Sequence, residues 1–218
     1  MLFLAVFCGF LAEYQLEHKI EKERGMQYIH SFYEDLKTDT AEFSRVIRKY
    51  DKKQVALSKK NECFALLPKQ LKSFNPCLAD LFNEAGGFPD LITEDRTLLQ
   101  LKNAGGLRLL KKEDADSILA YDRMIRNYSR VEMTGLQECQ YRLREQMSSM
   151  INYKNLTLEK EDPAVPFLNT DDMQKINKFF VTLHEYQGAC FNMSLMVKKI
   201  KEKAISLIEY IKNKYRLE

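Results

Sequence analysis

The sequence predicts an all-α fold, an antiparallel bundle of three long helices with a cap of short helices, in which the first helix is continuous with a membrane anchor. Glycine and proline are scarce, with 8 and 5 residues in a chain of 218. Charged residues make up 30% of the chain, a fraction typical of long solvated helices. Apolar residues recur at the three-and-four spacing of an amphipathic helix over three long stretches.

The first stretch begins with an uncharged run, Met1–Ala12, and charged residues follow it at once. A helix needs about 20 apolar residues to cross a bilayer, so this run is too short to cross one alone. A secretory signal has a basic region before its apolar run and a cleavage site after it, and this run shows neither. Because its apolar residues surround the helix, we interpret it as part of a transmembrane helix that lacks its first half. A buried core helix is the alternative. The predicted anchor residues are Leu2, Phe3, Leu4, Val6, Phe7, Phe10 and Leu11.

Residues 1–13 are therefore predicted to be a partial anchor, and residues 14–218 a helical bundle domain. The first long helix is expected to continue to about Leu67, because no Gly or Pro interrupts the chain between Gly25 and Pro68. Alternatively, the run 38–40 caps a new helix. Apolar residues at helical spacing define its inner face, and three polar residues lie at the seam. The apolar residues are Ile29, Phe32, Leu36, Phe43, Ile47, Tyr50, Leu57 and Phe64, and the seam residues are Thr40, Gln54 and Asn61.

Residues 68–111 are predicted to form a cap of short helices, since five Pro or Gly-Gly interruptions divide this region. One short helix is expected near Asn75–Asn83. Another is expected near Thr93–Asn103, with Thr93 as its N-cap.

The second long helix is predicted from about Lys112 to Tyr153, where Gly135 marks a kink or a close helix contact. A loop is expected at 155–169, because it contains Pro163 and Pro166. The run 169–172 (NTDD) then supplies a strong N-terminal cap for the third long helix, which continues to the end of the chain.

Composition and motifs argue against nucleic-acid binding, metal binding and catalysis. The 34 basic and 31 acidic residues are interleaved, which gives no surface for nucleic acid. The five cysteines have no C-x-x-C spacing and are predicted to be unpaired and buried, and the three histidines are too far apart for a metal site. No phosphate-binding loop or nucleophile elbow is present. We therefore expect no enzyme activity, no cofactor and no metal.

Three regions are similar to a known family. Residues 1–39, together with LLQLKNAGGLRLL at 98–110 and the ending YIKNKYRLE at 210–218, resemble a family of single-span, helix-rich proteins of unknown function from Bacteroidota. The resemblance implies a bacterial inner-membrane protein with one span and a body in the periplasm. Lys19, Lys22, Arg24 and the unpaired cysteines favour the cytoplasm instead.

Two functions remain. The first is a membrane-anchored interaction or scaffold module, since the long one-sided helices carry no recognisable site. Its partners would be membrane lipid through the N-terminal helix and a protein or a second copy of the chain. The alternative is a periplasmic bundle that senses a ligand between its helices and acts through a separate signalling partner. A pocket lined by the seam residues would favour the sensor, and a closed core with an exposed apolar patch would favour the scaffold.

Overall fold

The computed structural model describes residues 2–70, 75–154 and 165–217, with the backbone alone at 2–5, 69 and 70. All regular elements in these ranges are helices, and several of them pack together, so the predicted all-α class is confirmed. An isolated antiparallel bridge pairs Ile151 with Leu168. The helices are α1 (Leu2–Ser58), α2 (Lys60–Gln70), α3 (Pro76–Ala85), α4 (Arg96–Asn103), a 3-10 turn (Gly106–Leu109), α5 (Lys112–Val131), a π-helical turn (Glu132–Leu136), α6 (Gln137–Met150) and α7 (Met173–Tyr215).

Helix α1 runs without interruption through residues 38–40. Thr38 and Thr40 donate their hydroxyls to the carbonyls of Glu34 and Lys37 in their own helix, at 3.2 and 2.8 Å, and so do not cap a new one. The break comes later, at Lys59, after which α2 continues past the position expected for its end and includes Pro68. The predicted continuity is therefore correct up to Ser58.

The short helices of the cap begin at different kinds of residue. The Asn75 side chain accepts a hydrogen bond from the Leu78 amide at 3.0 Å and caps α3. Helix α4 begins after Asp95, whose side chain makes no capping bond, so the expectation of a Thr93 cap is wrong. The predicted loop at 155–169 lies partly outside the described residues, at 155–164.

The second long stretch is divided by the π-helical turn that contains Gly135. A Cβ atom built on this glycine meets no atom within 4 Å, so of the two expected roles the structure supports a local distortion and not a close contact. The stretch ends at Met150, where the amide of Asn169 donates to the Met150 carbonyl at 2.8 Å. Helix α7 has the predicted cap, because Asp172 Oδ1 accepts from the amides of Gln174 and Lys175.

The chain divides into two compact units. Unit 1 comprises residues 1–43, 92–125 and 200–218, and unit 2 comprises 44–91 and 126–199. The core of unit 1 includes Ile29, Phe32, Leu36, Leu101, Ile118, Tyr121, Ala204 and Ile211. The core of unit 2 includes Tyr50, Leu57, Leu78, Phe82, Tyr128, Leu143, Phe179, Leu183 and Tyr186. Six of the eight apolar residues predicted for the inner face of the first long helix are buried, whereas Ile47 is half-buried and Phe64 is 37% exposed.

Two expectations are wrong. Among the described residues, no helix combines the length and apolar character needed to cross a membrane, because charged residues begin at Glu13. This finding contradicts the predicted single-pass inner-membrane localisation. Cys63 and Cys77 form a disulfide with their Cα atoms 5.5 Å apart, whereas all five cysteines were expected to be unpaired.

Candidate interaction surface

The start of α1 presents apolar side chains to solvent. Val6 and Phe10 are each 67% exposed, Phe7 is 50% exposed and Leu11 is 43% exposed. A Cβ atom on Gly9 would also meet no atom within 4 Å. We call residues 6–12 the apolar end of α1.

This apolar end has no polar side. At 100° per residue, Cys8 lies on the side of the helix opposite Val6 and Phe10, and all three are exposed. Further along α1, by contrast, Ile29, Phe32 and Leu36 form one buried stripe, while the opposite face is polar and exposed. The uniformly apolar character predicted from the sequence therefore coincides with a segment whose residues 6–12 are all exposed.

The predicted anchor residues divide into two groups. Val6, Phe7, Phe10 and Leu11 form a contiguous exposed surface on successive turns of α1. For Leu2, Phe3 and Leu4 the structure describes only the helical backbone.

A charged segment follows the apolar end. Residues 13–20 remain exposed, and they include acidic and basic side chains in close succession. The rings of Tyr14 and His18 stack one turn apart, with 6.0 Å between their centroids. Burial begins only at Gly25, so about 18 Å of solvated helix lies between Ala12 and the first core contact.

Three tyrosines lie in the interior of unit 2. Tyr50, Tyr128 and Tyr186 are fully buried. The hydroxyls of Tyr50 and Tyr128 lie 3.3 Å apart, and Tyr128 donates to Glu132 Oε1 at 3.1 Å. Burial raises the pKa of Tyr128 and of Glu132, and the hydrogen bond from Tyr128 acts against the second shift. Tyr50, Tyr128 and Glu132 therefore partner one another in the interior of unit 2.

The Gly86-Gly87 turn of the cap accepts several hydrogen bonds from other residues of unit 2. Gln140 donates to the Gly86 carbonyl at 2.9 Å, and Arg144 donates to the same oxygen at 2.5 Å. Tyr186 donates to the Gly87 carbonyl at 2.6 Å. The polar groups that converge on this part of the cap therefore hold its backbone.

The seam residues have internal roles of the same kind. Gln54 donates to the carbonyl of Gln187 at 2.9 Å, and Thr40 bonds within its own helix. Asn61 lines a shallow groove of about 270 Å³ together with Phe64 and His184. The ligand-sensing hypothesis requires one pocket lined by the three seam residues. These residues instead lie in three separate environments.

Two buried carboxylates form hydrogen bonds between different elements of unit 1. Asp39 accepts from Tyr121 Oη at 2.6 Å and from the Glu94 amide at 2.8 Å. Burial raises the pKa of Asp39 to about 6 despite these two bonds. The second carboxylate, Asp114, accepts from Tyr210 at 2.8 Å and from Lys214 at 2.6 Å. For Asp114 burial again raises the pKa, but the bonds from Lys214 and the neighbouring tyrosines outweigh it and the net shift is downward.

These clusters do not form a metal centre. Within the described ranges, no three His, Cys, Asp or Glu residues lie close enough together to hold a metal ion. Of the free cysteines, Cys139 and Cys190 are buried, and burial raises the pKa of the Cys190 thiol to about 11. Neither thiol is therefore prepared to act as a nucleophile near neutral pH.

Comparison with protein-family models, with curated proteins and with solved structures gives no match. The resemblance to a family from Bacteroidota accordingly stays a prediction.

Proposed function

We propose that the chain is a non-enzymatic interaction module that binds lipid through the apolar end of α1. The observation that supports this proposal most directly is the exposure of Val6, Phe7, Phe10 and Leu11 on a helix segment without a polar side. A protein partner, or a second copy of the chain, needs one apolar stripe on the helix that it contacts. A segment that is apolar all round is instead suited to a surrounding apolar phase.

The apolar residues at the start of α1 are sufficient to enter one leaflet. Residues 2–12 span about 16 Å as a helix, which is about half of a hydrocarbon core of about 30 Å. The charged residues from Glu13 onward then remain in the aqueous phase. We therefore propose that these residues insert into one leaflet.

The energy of insertion is sufficient for reversible binding. Transfer of one fully exposed large apolar side chain contributes about 1.5–3 kcal/mol. The four side chains are roughly half exposed on average, and together they contribute about 4 kcal/mol or more before the cost of immobilisation. This is the range of a weak lipid anchor, which gains strength when several copies or several contacts act together.

The remainder of the chain would contribute the two helical units described above. We propose that its long helices form the antiparallel bundle expected from the sequence. The bond between Asp39 of α1 and Tyr121 of α5, and that between Asp114 of α5 and Tyr210 of α7, support it within unit 1. The Cys63–Cys77 disulfide supports a setting in an oxidising compartment.

Co-sedimentation of the full chain with phosphatidylcholine vesicles tests the proposal. The double variant F7E/F10E places two carboxylates on the apolar end and should weaken binding by about 100-fold or more. The control V55E/Y141E changes two side chains of similar exposure, 68% and 71%, elsewhere on the chain and should bind like wild type.

Circular dichroism should give the same helix content for all three proteins, because the altered side chains are exposed. Equal vesicle binding by wild type and F7E/F10E would overturn the proposal. A second result would also overturn it: wild type does not sediment with vesicles, and it forms a dimer that F7E/F10E abolishes. The apolar end would then be a self-association surface.

A further inference from the structure

A polar cavity lies in unit 1, beside the Gly105-Gly106 motif that the proposed lipid contact does not use. It has a volume of about 490 Å³ and is lined by α1, by the end of α4 and by the 3-10 turn. Arg24 of α1 and Arg108 of the turn both line it. This volume is within the range of small-molecule sites.

Glycines allow the turn to approach α1 closely. A Cβ atom on Gly25 would lie 2.9 Å from the backbone oxygen of Leu109, a distance that real Cβ atoms essentially never show. A Cβ atom on Gly106 would lie 3.1 Å from a ring carbon of Tyr28. Gly105 has a φ of 69°, in the left-handed region that favours glycine. The position of Arg108 beside α1 therefore depends on three glycines.

Neutral hydrogen-bonding groups complete the cavity. Gln27 and Ser31 follow Arg24 on the same face of α1, at helical spacing, and Gln100 contributes from α4. Glu21 also lines the cavity and lies 4.0 Å from His18. In the ranges that the structure describes, neither Arg24 nor Arg108 forms an ion pair. Two guanidinium groups against one carboxylate leave the cavity with a net positive charge.

We propose that this cavity binds a phosphate group, with Arg24 and Arg108 as its two cationic contacts. The planar guanidinium donates two parallel N–H bonds to an oxyanion, which gives both charge and geometric selectivity. The volume exceeds what one phosphate group needs, so Gln27, Ser31 and Gln100 would contact the polar remainder of the ligand. A soluble phosphorylated compound and a phospholipid headgroup supply the same chemistry.

Titration calorimetry of the full chain with pyrophosphate, at constant ionic strength set by chloride, tests the soluble source. Wild type should bind saturably, and R24Q and R108Q should each weaken binding by about 10-fold or more. The control R123Q removes the same charge from an exposed position of α5 outside this cavity and should bind like wild type.

Vesicles of phosphatidylcholine, with and without phosphatidic acid, test the lipid source. An increase in vesicle binding on addition of phosphatidic acid that R24Q and R108Q lose, but R123Q keeps, would assign the site to a headgroup. Absence of phosphate-dependent binding in both arms, or an equal loss in R123Q, would overturn the proposal.

Phosphate binding by the cavity can be tested separately from lipid binding by the apolar end of α1. F7E/F10E should keep the pyrophosphate binding of wild type, because the apolar end lies outside the cavity. Loss of pyrophosphate binding in this variant would overturn the assignment of the site to the cavity.

Discussion

Replacement of Asp39 by Asn should remove a pH dependence from the stability of the protein. The Asp39 side chain is 1% exposed, and it faces Tyr121 of α5, the Glu94 backbone of the loop and Asp35 on its own helix. The net pKa of Asp39 is about 6. Burial raises this pKa most, the Asp35 charge also raises it, and the two hydrogen bonds lower it. In the unfolded chain the pKa of an aspartate is about 3.9.

The sign of the effect follows from these two values. Between about pH 4 and pH 6 the folded state holds a proton on Asp39 that the unfolded state has released. Stability therefore falls as the pH rises through this window. A difference of about two pKa units corresponds to about 3 kcal/mol in total, of which about 2 kcal/mol falls between about pH 4.5 and pH 7.5. An asparagine does not titrate, so D39N lacks this loss.

Urea unfolding of wild type and D39N at several pH values between these limits measures the effect. The free energy of unfolding of D39N minus that of wild type should increase by about 2 kcal/mol from the acidic to the neutral end. Any cost of the altered hydrogen bonds adds a constant and leaves this increase unchanged. The same measurement on D116N, at an exposed position of α5, serves as the matched control. A flat or decreasing difference for D39N would refute the reasoning.

Two further predictions concern covalent and backbone constraints. The Cys63–Cys77 disulfide closes a loop with a sequence separation of 14, so the double variant C63S/C77S should unfold with a free energy lower by about 3 kcal/mol in urea. Thiol titration of the unfolded, unreduced chain should give three free thiols, and five would contradict the pairing. G25A should lower the melting temperature, since its Cβ atom would collide with the Leu109 carbonyl, at a cost of about 1–3 kcal/mol. G188A, where a Cβ atom meets nothing within 4 Å, should raise the stability by up to about 1 kcal/mol, and equal behaviour of the two variants would contradict the close packing at Gly25.

Much of the fold could be predicted because it depends on local signals. The spacing of Ile29, Phe32 and Leu36 defines a buried face whatever the partner helix is, and these three residues are in the core. The cap at Asp172 depends on amides only two and three residues away. The apolar end of α1 could also be recognised from the sequence, because its uncharged run is contiguous.

Other assignments were displaced along a helix by one residue. Thr40 and Gln54 were predicted at the seam, whereas the buried polar residues are their neighbours Asp39 and Lys53. Periodicity gives the approximate centre of a buried stripe, but a polar residue at its edge is buried only if a partner is present. For Asp39 that partner is Tyr121, which a reading of the local sequence cannot supply.

The sequence alone therefore determined the helical class, most of the inner face of each long helix and the apolar character of residues 6–12, since each depends on neighbours along the chain. The tertiary structure decided which distant groups meet. It brought Cys63 within bonding distance of Cys77, and it placed Arg24 and Arg108 around one cavity. The close approach at Gly25 and Gly106 depends on the packing of a turn against a helix far away in the sequence.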